Sequence, residues 1–467
     1  MAQVPILSGI YTSNGPDYRV SLPVNLVPVA LPNGASAGYL RPAEGIVDVG
    51  TGVGLTRGMI YWEGAIHAVQ GTSLVRIASD GTVTTLGTIA DGGPVRFTYS
   101  FDQLAVASGG RLYYWDGSSL DEVTDTDLGV CVDVVWIDGY FMSTDGTNLV
   151  VTDLTDPMSI NPLKYASNEA NPDPVVGLLR LRNEIYSFNR YTIEVFDNVG
   201  GSGFPFERIE GAQVQKGSLG TFAACVYGDV VAFVGSGFNE APGVYLAQNG
   251  TAVKLSTVEI DRILASYSEV QLADTVCESR IFNGHEHLYV HLPDRTLVFD
   301  RVATQALGQQ VWFVLSSGLV GYEQYRARYF TFAYDRWWAG DPTTDSFGTL
   351  DESIGTIYGD ARRWEFATAM VYNEGKSVTV KALELVALTG RVALGADPRI
   401  STSYSLDGMT WSLPKYINAG TIGERGKRLT WFRQGGFRDQ RFQRFHGTSD
   451  AHISVARLEA EFEGGAY

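Results

Sequence analysis

A turn followed by an apolar strand recurs along most of this chain, and that recurrence restricts the fold more than any other feature. The first copy occupies 62–69, where Trp62, Glu63 and Gly64 lead into Ala65, Ile66, His67, Ala68 and Val69. Further copies fall at 101–108, 137–144, 181–188, 227–234 and 282–289, with an irregular last one at 334–338. Successive copies start roughly 35–55 residues apart, the period of four-stranded blades in a β-propeller. One such unit cannot bury its apolar face alone, so the repeats are expected to stack into a ring of about seven blades between 56 and 358.

The 467 residues are 45% hydrophobic and 19% charged, enough to bury a large core in two domains. Abundant Gly, Tyr and Phe (53, 24 and 22 residues) suit short strands joined by Asp-Gly and Asn-Gly turns. No stretch of about 18 consecutive apolar residues occurs, so no membrane span is expected. Residues 1–7 lack the basic start and long apolar core of a secretion signal. Cys131, Cys225 and Cys277 lie far apart inside apolar runs, and buried free thiols are expected rather than a disulfide framework.

Residues 1–55 carry Pro5, Pro16, Pro23, Pro28, Pro32 and Pro42 without a sustained period. They read as an extended N-terminal arm, and whether it also closes the ring stays open. One helix is expected within the propeller. Ser256 would cap it, Glu259 would complete a capping box, and Ile260, Ile263, Leu264 and Tyr267 would share a face. Beyond 359 the segments 377–385, 400–405 and 453–462 alternate apolar and polar residues, as in strands with one wet face. The expected fold is all-β: an arm over 1–55, a propeller over 56–358 with a short helical insertion, and a C-terminal β-sandwich over 359–467.

Several collinear stretches carry a family resemblance. They are Leu22-Pro23-Val24-Asn25, Gly38-Tyr39-Leu40-Arg41, Gly45-Ile46, Asp145-Gly146-Thr147 with Thr152-Asp153-Leu154, and Val214-Gln215-Lys216-Gly217. The helix around 260–267 and His291-Leu292-Pro293 with Leu297-Val298-Phe299-Asp300 complete the set. Together they resemble the packaged-DNA stabilization proteins of short-tailed bacteriophages, which form the tail hub or nozzle. The resemblance implies a structural subunit in the virion tail, assembled in the host cytoplasm, forming a ring of six copies beneath the portal and adaptor. It further implies retention of packaged DNA, which could touch the ring's channel, and attachment of spikes, fibres or a needle. No cofactor or catalytic residue is implied. The rival readings are a sialidase-like propeller that binds or cleaves glycans, and a scaffold propeller with soluble partners.

Candidate chemistry is sparse. His285, His287 and His291 share one strand face, with Glu286 between the first two, but surface or partly buried histidines are expected here and no metal. Ser405-Leu406-Asp407-Gly408-Met409-Thr410-Trp411 resembles a sialidase Asp-box shortened by one residue, a structural turn even in its complete form. Glycoside hydrolysis needs a placed carboxylate pair, and no arginine-triad signature or nucleophile elbow accompanies the acidic residues. The glycine-rich pieces at 50–54 and 200–203 lack the Lys-Ser/Thr tail of a P-loop. An enzyme is not expected.

The formal charge of −17 argues against general nucleic-acid binding, yet one band is basic. Between 422 and 446 stand Arg425, Lys427, Arg428, Arg433, Arg438, Arg441 and Arg444 against Glu424 and Asp439, an excess of about five positive charges. Trp431, Phe432, Phe437, Phe442 and Phe445 are interleaved with them. The seven basic residues are the candidate partner interface. Phosphate contact in a channel, or two sandwich strands with solvated arginines and aromatics turned inward, are the alternatives.

Overall fold

The computed structural model describes residues 2–13, 17–31, 36–154, 156–167, 173–201, 203–392 and 396–464. Pro16, Pro32, Ser202 and the last three residues of the expected sandwich lie outside them. Seven antiparallel sheets of four or five strands make seven blades. Their first strands are Thr56–Trp62, Arg96–Tyr99, Asp133–Ile137, Val175–Leu181, Ala224–Tyr227, Val276–Phe282 and Arg328–Ala333. Each first strand packs against the first strands of its neighbours, closing a ring.

Every copy of the sequence repeat lands on the turn between the first and second strands of a blade. The local chemistry explains why. A tight turn matching the twist of the flanking strands needs positive φ at two successive residues. Glu63-Gly64, Asp138-Gly139 and Asn283-Gly284 supply it, each with glycine second. The irregular copy does the same without glycine, at Tyr334 (φ 51°) and Asp335 (φ 61°). Alternate residues of the strands then fill the spaces between blades, as Tyr186, Phe188, Val231 and Phe233 do between the fourth and fifth.

The segment read as an arm is built into both modules. Gly45–Thr51 is the outermost strand of the seventh blade, paired with Ser346–Asp351 from Gly45↔Asp351 to Thr51↔Ser346. Leu26–Ala30 and Gly38–Pro42 extend one sandwich sheet through Ser454–Gly464, Val378–Leu388 and Leu429–Phe432. Ala2–Val4 pairs along Ser454–Gly464 as well. The prolines do not forbid this, because Leu26–Ala30 is an edge strand where a missing N–H is tolerated. The second sheet orders Arg363–Ala367, Gln440–Thr448, Arg399–Ser405 and Lys415–Asn418. Trp364, Phe366, Leu383, Leu385, Trp431, Phe445, Val455 and Leu458 belong to the sandwich core.

Propeller and sandwich meet at Val24 and Asn25. Val24 bridges Val314 of the sixth blade on one side and Glu365 of the sandwich on the other. Asn25 takes φ 54°, and its Nδ2 donates to the carbonyls of Ser316 (2.8 Å) and Arg363 (2.7 Å). Its Oδ1 accepts from the Ser316 N–H at 3.0 Å and from Arg362 at 3.4 Å. Buried Arg362 also donates to the carbonyls of Gly355, Ala43 and Glu44.

Three short α-helices occur among the described residues: α1 (Val258–Leu264), α2 (Glu269–Ala273) and α3 (Arg301–Leu307). The cap of α1 is Thr257, whose hydroxyl accepts from Ile260 N–H, and not Ser256. Ser256 instead accepts from Val244 N–H and donates to Asp261. Glu259 is drawn away from a capping box toward Arg19 and Arg262. Cys131 and Cys277 are buried and Cys225 is half-buried, all as free thiols. Burial pushes the Cys131 thiol up to about 12.

Candidate functional site

The basic band does not form one surface. Arg425, Arg433 and Arg438 are exposed, and among the described residues none of the three makes an ion pair. Arg428 grips Glu384 through two hydrogen bonds of 2.7 and 2.5 Å, and Lys427 lies 3.4 Å from Glu424. Arg441 points inward and is 2% exposed. It donates to Gln443 (3.0 Å) and the Gln434 carbonyl (2.8 Å) and lies 4.0 Å over the Tyr404 ring. Burial lowers its pKa to about 10. Arg441 therefore holds the sandwich together and is withdrawn from contact with a partner.

Arg444 is half-buried over Trp411 (4.3 Å) and 4.0 Å from Glu365, in a cleft of about 370 Å³ that Tyr11, Arg19 and α1 also line. Four of the band's five aromatics are buried, and Phe432 is 70% exposed. It sits beside Arg433, with Lys381 in the same shallow groove. An exposed aromatic flanked by cations is the composition of an interface anchor.

The Asp407 turn has a structural role. Its carboxylate accepts from Met409 N–H (2.8 Å), Thr410 N–H (2.7 Å) and the Ser405 hydroxyl (2.8 Å), and these hold its pKa well below the usual range. The Gly408 carbonyl then receives Thr12 N–H at 3.2 Å, fastening the hairpin Gly9–Thr12 and Tyr18–Ser21 onto the sandwich. A Cβ on Gly408 would stand 2.7 Å from the Thr12 nitrogen.

Several blades are linked by side chains that sequence reasoning did not single out. Arg96 of the second blade pairs with Asp133 of the third at 2.8 Å. It donates to the Thr221 carbonyl ahead of the fifth blade's Ala224–Tyr227 strand at 3.0 Å, and lies 4.9 Å over the Phe222 ring. Asp133 also accepts from Leu178 N–H of the fourth blade at 2.8 Å. Blades two and five are three positions apart in a seven-membered ring, so Arg96 and Asp133 tie together blades two to five.

The three histidines of the sixth blade are buried rather than at the surface. His285 is 8%, His287 4% and His291 1% exposed. His291 turns to Glu278 (3.0 Å) and Thr296 (2.9 Å), apart from the other two. His285 and His287 converge on Asp300, the residue facing His287 in the next strand. No sequence signal joined Asp300 to the pair, because only the strand register brings it across.

Comparison with known proteins follows the same two modules. Residues 2–355 match the family model described as Bacteriophage P22 Gp10, beta-propeller, and residues 363–463 match Bacteriophage P22 Gp10, beta-sandwich. The chain belongs to the bacteriophage P22 Gp10 family. It is 29% identical over 457 residues to the tail hub protein gp10 of Salmonella phage P22, covering 93% of this chain and 94% of that protein. Among solved structures it is similar to the N-terminal domain of Nup159 at 10% identity and TM-score 0.43, covering 71% of this chain and 98% of that one. The WD40 domain of Neurospora crassa Pan2 gives 10% identity and TM-score 0.42, with coverages of 64% and 89%. Membership of the Gp10 family makes this chain a structural protein of a phage tail hub and not an enzyme. It places the chain among virion tail components. No helix among the described residues is long and apolar enough to cross a membrane.

Proposed function

We propose that this chain is the repeating subunit of a six-membered hub ring, seated below a portal and adaptor in a short phage tail. There it helps retain packaged DNA and carries spikes, fibres or a needle. The observation that carries the reading is collinearity: both modules, in the same order, match one tail hub protein over nearly the full length of each chain. The junction at Val24 and Asn25 supports it, since hydrogen bonds there join the propeller to the sandwich. Native mass spectrometry of the purified chain with its adaptor tests the ring. A closed six-copy assembly is expected, and a chain that stays monomeric beside a competent adaptor overturns the proposal.

A further inference from the structure

The sixth blade carries a donor set that the hub function leaves unused. His285 and His287 alternate along His285–His291 and so project from one face of the sheet. Asp300 faces His287 in the strand register. Donor atoms of the three residues lie within 4.8 Å of one another. His287 Nε2 is 3.4 Å and His285 Nδ1 2.5 Å from the same carboxylate oxygen, Asp300 Oδ2.

The surroundings hold these atoms in place as an outer shell does around a metal. Asp300 Oδ1 accepts from Ala303 N–H at 3.1 Å, fixing the carboxylate at the head of α3. The other ring nitrogen of His287, Nδ1, lies 3.3 Å from the Tyr289 hydroxyl, the arrangement that leaves Nε2 free to ligate. That Nε2 is buried and makes no hydrogen bond among the described residues. Phe313 packs against the His287 ring at 5.4 Å and keeps that side dry. The two nearby guanidinium groups are each neutralised, Arg280 by Glu44 and Arg301 by Glu286 at 2.7 Å.

We propose that His285, His287 and Asp300 bind one divalent cation of the zinc class, with an open fourth position on the solvent side of His285. Two imidazoles and a carboxylate are a donor set this ion accepts. Bonds of about 2.0–2.1 Å to tetrahedral ligands put donor atoms about 3.3–3.4 Å apart. The His287–Asp300 spacing of 3.4 Å already matches. His285 reaches the same spacing by rotating away from its present hydrogen bond, and its slight exposure gives the ion an entry path. The ion would clamp the second and third strands of the blade.

The test uses the full chain stripped with a chelator and then titrated with Zn²⁺ by calorimetry. Co²⁺ serves as a spectroscopic probe and elemental analysis gives the stoichiometry. One equivalent should bind, raise the melting temperature by several degrees, and give the visible bands of tetrahedral Co²⁺. His285→Gln, at the margin of the site, should weaken affinity at least tenfold while its circular dichroism stays that of the parent. His287→Gln should abolish the Co²⁺ bands, and a control change at His452 should leave them intact. Failure of the parent to bind an equivalent overturns the proposal, as does binding that survives His285→Gln unchanged. If His287→Gln fails to fold, the His285→Gln titration decides.

Discussion

At the scale of single residues, the seventh blade shows what a turn costs when glycine is missing. Tyr334 and Asp335 both sit in the left-handed region, which disfavours an L side chain by about 1–2 kcal/mol per residue. Tyr334 is held there by its hydroxyl, which donates to the Ile77 carbonyl of the first blade at 2.9 Å. Asp335 is exposed, and its side chain makes no hydrogen bond or ion pair among the described residues. Asp335→Gly should therefore stabilise the protein by about 1 kcal/mol, read as a raised denaturation midpoint. Tyr334→Phe should cost a similar amount by removing one hydrogen bond between the first and last blades. His67 gives a second residue-level expectation. Burial lowers its pKa from 6.5 to about 4, so between those values the unfolded chain holds a proton that the folded chain does not. Stability must then fall as pH drops from about 6.5 to about 4. His287 and His291 are lowered by burial too and act in the same direction. Thermal melts at pH 7 and pH 5 should show a smaller loss for His67→Gln than for the parent, and parallel losses would refute the assignment.

At the scale of elements, what was legible in the sequence was local. The repeat marked one turn per blade because glycine and asparagine at positive φ leave a compositional trace beside the apolar strand. The alternating strands after 359 were legible because one sandwich face is wet. Pairings between distant segments left no such trace. Nothing within 1–55 announces that Gly45–Thr51 pairs with Ser346–Asp351, or that Arg96 will find Asp133 and Thr221. Within the basic band, composition could not separate buried Arg441 from exposed Arg438, since both stand among aromatics and only the sheet places them. The junction carries its own prediction. Asn25→Ala removes four side-chain hydrogen bonds and leaves alanine at φ 54°. A loss of about 3 kcal/mol is expected. Limited proteolysis should then separate propeller from sandwich, and a variant as resistant as the parent would show that the joint lies elsewhere.

At the scale of the whole molecule, the net charge is −17, yet the sandwich presents three exposed arginines that make no ion pair among the described residues. Of the candidate interface, Arg425, Arg433 and Arg438 stay exposed beside exposed Phe432, and contact with an acidic neighbour through them is the expectation to test. Replacing these three arginines with serine should leave the melting temperature within a degree or two and reduce incorporation into particles. Attraction between such patches is screened beyond about 8–10 Å near physiological salt, so assembly of the parent should slow as salt rises. Normal incorporation of the triple variant would assign these arginines to solvent. The closing strand has a further consequence, one of timing. Thr51 is translated 295 residues before its partner Ser346. At about 5–20 residues per second the wait is on the order of 15–60 s. Six blades can form during synthesis while the strand that completes the seventh waits unpaired. Gln3 waits longer still, for Glu459. A ribosome that stops early therefore releases a chain with raw strand edges, open to proteases and unable to lock. Only a chain translated through Ser454–Gly464 can pair its earliest strand and close both modules.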